Sequence, residues 1–233
     1  MTPLAGIIAA RIRAMGPISL ADYMQICLLD SRYGYYATRD PFGQKGDFVT
    51  SPEIHQIFGE ICGLALAQAW MDQGQPAPFT LAEPGPGRGT LMADMLRTLR
   101  AVPGMREAAK VALIEASPHL RQVQTERLGQ VLHLDNVEDL PVKPLFMIAN
   151  EFIDALPIRQ FQMTEEGWRE RMVGLCDKGT LRLGLGEVVP LPREGSVGDT
   201  VEECPEGMAF AEALGRRIAA QGGAAIIIDY GGW

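Results

Sequence analysis

Five short apolar runs constrain this chain more than any other feature, because four of them end directly on an acid or an amide. Residues 79–82 run into Glu83, 111–114 into Glu115, 145–149 into Asn150-Glu151, and 224–228 into Asp229; the remaining run, 131–134, has acids soon after it. Segments of helical spacing lie between them, such as Leu91, Met92, Met95, Leu96 and Leu99, then residues 118–128 and 206–221. A strand that is apolar throughout is buried on both faces. Alternation with helices therefore predicts an α/β fold with a mainly parallel sheet covered on both sides. Ligands of such sheets sit beyond the carboxyl ends of the strands. The pattern delivers carboxylates and an amide to that one rim.

Charge narrows the partners. The 233 residues hold 21 Lys and Arg against 29 Asp and Glu, a net charge of −8. A surface of that sign argues against nucleic-acid binding, which depends on cationic contacts to phosphate. No apolar run approaches the roughly 18 residues of a membrane span. Residues 1–20 carry Arg11 and Arg13 among Leu4, Ile7, Ile8 and Ile12, and read as an amphipathic first helix rather than a secretory signal or transit peptide. Cys27, Cys62, Cys176 and Cys204 form no CxxC pair, and His55, His119 and His133 are scattered, so no metal site is expected. Four unpaired thiols fit a reducing compartment.

The remaining segments divide the chain. Residues 5–30 read as helical and 31–50 as a long loop. Ser51-Pro52-Glu53 has the form of a helix start, with Ser as cap, and Ile54, Ile57, Phe58, Ile61, Leu64 and Leu66 carry that helix to about residue 71. His55 on it reads as structural. Between residues 158 and 190 the period changes to two, with turn signals at Glu166-Gly167 and Asp177-Lys178-Gly179, which predicts a small antiparallel meander. Its Arg159, Arg169, Glu170 and Arg171 read as a solvated face. The expected organisation is N-terminal helices and a covering loop over 1–75, then a nucleotide-binding domain over 76–233 with a β insertion at about 158–197.

The first apolar run enters Glu83-Pro84-Gly85-Pro86-Gly87-Arg88-Gly89-Thr90. Glycines at 85, 87 and 89 permit a tight turn and close approach to a ligand. The dinucleotide fingerprint GxGxxG fits poorly, since Thr90 stands where its third glycine belongs. Pro84 and Pro86 lack the N–H groups that a pyrophosphate needs. Glu83 would also repel that anion. S-adenosylmethionine (SAM), with a sulfonium and an ammonium, makes the opposite demand. Glu115 at the end of the next strand is placed to accept ribose hydroxyls. Arg88 is left with two candidate partners, the cofactor carboxylate and Asp94.

Taken with Tyr33-Gly34-Tyr35-Tyr36, Gly46-Asp47-Phe48-Val49-Thr50-Ser51-Pro52-Glu53, Asn150-Glu151-Phe152-Ile153-Asp154-Ala155-Leu156-Pro157 and Ile228-Asp229-Tyr230-Gly231, this turn resembles the MidA-like methyltransferases, the family of the mitochondrial complex I assembly factor that methylates arginine. The resemblance implies a Class I, Rossmann-like fold, SAM as cofactor and N-methylation of an arginine in a protein such as a respiratory complex I subunit. It implies cofactor contacts from Glu83, Gly85, Pro86, Gly87, Gly89, Glu115 and Ala116, and from Gly46, Asp47, Thr50 and Ser51 in a loop folded over the cofactor. Tyr35 and Tyr36 are expected to line the acceptor channel, Tyr36 equally to pack the segment. Glu151 and Asp154 are expected to grip the guanidinium while Asn150 orients it; the competing expectation is that Asn150 or Asp154 caps a helix. Family members continue beyond the fifth strand, so an incomplete C-terminus is expected at Trp233. The resemblance also allows a homodimer, and a non-catalytic assembly module as the alternative to an enzyme. A bacterial cytoplasm is the favoured location, the mitochondrial matrix the one for a eukaryotic source.

Overall fold

The computed structural model describes residues 2–38 and 50–230. In chain order the elements are α1 (Pro3–Met15), β1 (Ile18–Ser19), α2 (Leu20–Leu29), α3 (Tyr35–Thr38), α4 (Ser51–Ile54), α5 (Ile57–Asp72), β2 (Phe79–Pro84), α6 (Thr90–Leu99), α7 (Met105–Ala108) and β3 (Ala109–Ile114). They continue with α8 (Pro118–Leu128), β4 (Leu132–Leu134), β5 (Leu145–Asn150), β6 (Arg159–Thr164), β7 (Gly167–Leu175), β8 (Leu181–Val188), β9 (Thr200–Glu203), α9 (Pro205–Gln221) and β10 (Gly223–Ile228). Two compact units emerge: residues 1–39 with 156–208, and residues 40–155 with 209–233. The sequence division at residue 75 groups the chain differently.

The second unit holds a five-stranded sheet of order β10-β5-β2-β3-β4, parallel at every pairing. Successive strand residues serve opposite faces. Leu81, Phe146 and Ile148 pack with Leu66, Trp70, Met95 and Leu99 of α5 and α6. Ala82, Leu145 and Met147 pack with Phe210 and Leu214 of α9. This two-sided burial is the reason the strands read as unbroken apolar runs. Because all five strands point the same way in register, their carboxyl ends share one edge.

The first unit holds an antiparallel sheet of order β1-β7-β6-β9, with β8 on the other side of β7. Here α1 and α2 bury Ile8 and Ile12 against Ile18 and Val173. The expected meander is present as β6, β7 and β8. Its charged residues pair rather than stand free in water: Arg159 grips Glu170 through two bonds of 2.9 and 2.6 Å, Arg171 bonds Gln162, and Arg169 pairs with Glu166.

Two expected helices are divided. Gly16, at φ +89°, ends α1, and Pro17 follows, so residues 5–30 form two helices rather than one. Ser19 then caps α2, accepting the Asp22 N–H at 3.0 Å. The helix expected over 51–71 breaks at His55, whose backbone is extended and whose Nδ1 accepts the Ile57 N–H at 3.1 Å. That bond gives His55 a local role in starting α5. Thr50, not Ser51, occupies the cap position of α4. The apolar positions read for this helix divide: Leu66 is buried on α5 with Gly59, Cys62, Gly63, Ala67 and Trp70, and Phe58 packs on the core, while Ile54, Ile57, Ile61 and Leu64 are exposed.

Candidate functional site

The glycine turn sits between β2 and α6. Gly85, Gly87 and Gly89 have φ of +62°, +51° and +74°, the left-handed region that costs any L side chain. The Gly85 N–H is held by the Ile114 carbonyl at 3.0 Å, and the Gly89 N–H by the Pro86 carbonyl at 2.7 Å. A Cβ at Gly85 would stand 3.0 Å from the Phe152 ring, and one at Gly89 would stand 3.1 Å from Leu128. Gly85 and Gly89 therefore exclude a side chain both in conformation and in space.

Glu83 lies under this turn, 3% exposed. The Met92 N–H bonds its carboxyl, but Oε2 has no partner. Burial pushes its pKa up to about 8, opposed only by the Met92 bond. On the neighbouring strand β5, Asn150 likewise leaves a buried Oδ1 without a partner. Two unsatisfied acceptors on adjacent strand ends are a costly arrangement for a fold alone.

Glu115 ends β3. Its Oε1 accepts the Ser117 N–H at 2.8 Å and its Oε2 the Gln124 amide at 3.3 Å. Burial raises its pKa, and these bonds oppose the rise. The same Gln124 amide donates to the Gly87 carbonyl at 2.7 Å, and Gln124 Oε1 meets His133 Nε2 at 2.9 Å. Both amide protons are then used, so His133 must supply the proton to Oε1. Gln124 thus ties the glycine turn to Glu115. Exposed Ala116 separates that acid from Ser117, which caps α8.

Thr50 and Ser51 open α4. From that helix Glu53 accepts the Thr90 hydroxyl at 2.5 Å, at the mouth of the glycine turn. Gly46 and Asp47 lie outside the described residues. Tyr35 and Tyr36 belong to α3 in the first unit, half-buried and edge-to-face with centroids 5.3 Å apart. Asp94 pairs with Arg97 at 2.6 Å.

Past β5 the chain turns sharply. Glu151, at φ +49°, is a non-glycine residue in the left-handed region. Its N–H bonds the Ile228 carbonyl at 2.8 Å. Asp229, ending β10, accepts the N–H groups of Ile153 and Asp154 at 3.0 and 3.1 Å. No helix begins directly after β5, so neither Asn150 nor Asp154 caps one; the N–H groups of this turn bond Asp229 at the end of the neighbouring strand instead. Burial raises the Glu151 pKa, Asp154 adds to the rise, and an Asn150 bond opposes it. Asp154 is raised by burial and then by Asp229. Negative neighbours that raise the pKa of Glu151 and of Asp154 make a setting suited to a cation.

Gln124 and the clamping role of Asp229 escape motif reading. Gln124 does carry one periodic signal, standing on the same helical stripe as Leu120 and Leu128.

The sheet order, the glycine turn after its central strand and the acids on its carboxyl edge define an α/β fold of the Class I methyltransferase type. A family model described as "Putative S-adenosyl-L-methionine-dependent methyltransferase" matches residues 61–232, and the chain belongs to that family. It is 38% identical over 256 residues to the mitochondrial protein arginine methyltransferase NDUFAF7 of Danio rerio, and 36% identical over 266 residues to that of Homo sapiens. These alignments cover 96% and 99% of this chain but 61% and 60% of those proteins. The chain is also similar to a solved Burkholderia thailandensis protein bound to S-adenosyl-homocysteine, with a TM-score of 0.81 and 28% identity, covering 98% of this chain and 62% of that one.

Proposed function

We propose that this chain binds SAM on the carboxyl edge of its parallel sheet and transfers the methyl group to an arginine nitrogen of a protein, such as a respiratory complex I subunit. One observation carries the cofactor reading: the lining beside the glycine turn is made of acceptors. Glu83 Oε2 and Asn150 Oδ1 are buried without donors, and Glu115 keeps lone pairs beyond its two bonds. Such a lining fits a cation and hydroxyl donors and disfavours a pyrophosphate. Residues 85–89 would form the floor, with Pro86 within it. Glu83 would face the methionyl cations, and Glu115 beside Ala116 the ribose. Thr50 and Ser51, with Gly46 and Asp47, would close over the cofactor. When bound, SAM supplies an electrophilic methyl group on sulfur.

The chain's own residues do the rest. A guanidinium stays cationic at working pH. Glu151 and Asp154 would hold it, Asn150 would orient it, and positioning of its nitrogen would supply most of the acceleration. As the N–C bond forms, an N–H proton must leave, and Glu151 would take it. The location follows the source, a bacterial cytoplasm being favoured over a mitochondrial matrix. Among the described residues no helix is long and apolar enough to cross a membrane.

Transfer of labelled methyl from SAM to an arginine-bearing protein tests this reading. Glu151→Gln is expected to lower kcat by about 10²–10⁴-fold, the range for a lost general base, with SAM affinity kept. Near-normal transfer by that variant would remove Glu151 from its role. SAM binding without transfer to any arginine protein would favour the second reading, a non-catalytic assembly module. The chain spans about 60% of the length of those curated relatives.

A further inference from the structure

Glu83 is the most deeply buried carboxyl of the rim, and among the described residues no cation balances its charge. One oxygen takes the Met92 N–H of α6, and the other has no partner. Among the described residues, the elements packed around it offer no counter-ion. From α5 comes the thiol of Cys62, whose own ionisation is opposed by burial and by Glu83. On α6, Asp94 and Arg97 satisfy each other, and Arg97 also reaches Glu60. Beyond β3 stands Glu115, beyond β5 Glu151 and Asp154, beyond β10 Asp229, all acids. Arg121 is spent on Glu115 O, Leu134 O and Asp135. An uncompensated buried carboxylate is so costly that the group stays neutral instead.

We propose that the Glu83 carboxyl keeps its proton in the protein alone and releases it to solvent when SAM binds. The inference rests on the cofactor reading above. The carboxyl O–H bond breaks, the proton passes to the buffer, and the carboxylate remains as counter-ion to a sulfonium or ammonium. The sign follows from linkage. Below about pH 8 the protein alone holds this proton and must lose it to bind, so affinity rises with pH. Above that value the proton is already gone and affinity levels off.

Isothermal titration calorimetry with SAM, in buffers of different ionisation enthalpy between pH 6 and 8.5, reads the proton directly. At pH 6.5 about one proton should leave per SAM bound, and affinity should rise about tenfold per pH unit towards pH 8. Glu115, Glu151 and Asp154 also have raised pKa values and are rival proton sources. In Glu83→Gln, checked for folding by circular dichroism, the release should fall to near zero and the affinity should lose its pH dependence. Infrared difference spectra of the wild type give a second readout that needs no variant: the protonated-carboxyl band should vanish as SAM is added. SAM binding without proton release, unchanged release in Glu83→Gln, or a band that persists would each overturn the inference while leaving the cofactor site standing. No binding at any pH would overturn both.

Discussion

At Gly85 a backbone demand and a spatial demand coincide. The φ of +62° penalises any side chain, and Phe152 stands where a methyl group would go. Gly85→Ala should therefore cost roughly 1–3 kcal/mol, a left-handed penalty of about 1–2 kcal/mol plus the displacement of a ring. Thermal unfolding would measure the loss, and SAM affinity should fall with it. Shrinking the ring by Phe152→Leu in the same background should restore part of the binding; no restoration would mean that φ alone decides. The need for glycine here was legible in the sequence, because a repeated glycine after an apolar run has few other uses. The partners of the turn were not. Phe152 and Gln124 meet it from 67 and 37 residues away, and no local pattern encodes such meetings.

The turn after β5 belongs to two elements at once. Its N–H groups are capped by Asp229 from β10, and its Glu151 is held in a strained conformation. Asp229→Ala should lower kcat at least tenfold while leaving the dissociation constant of SAM within about threefold, because the capped groups lie outside the glycine turn. Asp229→Asn keeps an acceptor oxygen and should retain more activity. Equal loss of cofactor binding in both variants would show that Asp229 supports the whole rim instead. Strands β2, β3, β5 and β10 were legible because they are apolar on both faces and bounded by polar residues. The breaks at Gly16-Pro17 and His55 were missed because apolar spacing runs straight through them. Strand β9 was missed because its TVEE sequence takes its pairing from β6, where Gln160 bonds Glu202 at 2.6 Å.

The second unit leaves one helix with apolar residues on both sides. Ile57, Ile61 and Leu64 are between 50 and 59% exposed, opposite the buried face of α5, and Ile54 of α4 is exposed beside them in sequence. Helices apolar all round are ordinarily covered. The chain on its own should therefore self-associate with rising concentration, as read by sedimentation equilibrium. Ile61→Lys with Leu64→Glu should return it to monomer without changing its melting temperature by more than a few degrees. A wild-type monomer at all concentrations would contradict this. The path of the chain carries a different consequence. Strand β10, which supplies Asp229, enters the parallel sheet some 70 residues after β5 ends, with β6, β7, β8 and β9 in between. Synthesis runs from the N-terminus. On the ribosome the first four parallel strands emerge well ahead of the last, so the turn at Glu151 waits for its clamp until β10 has been made.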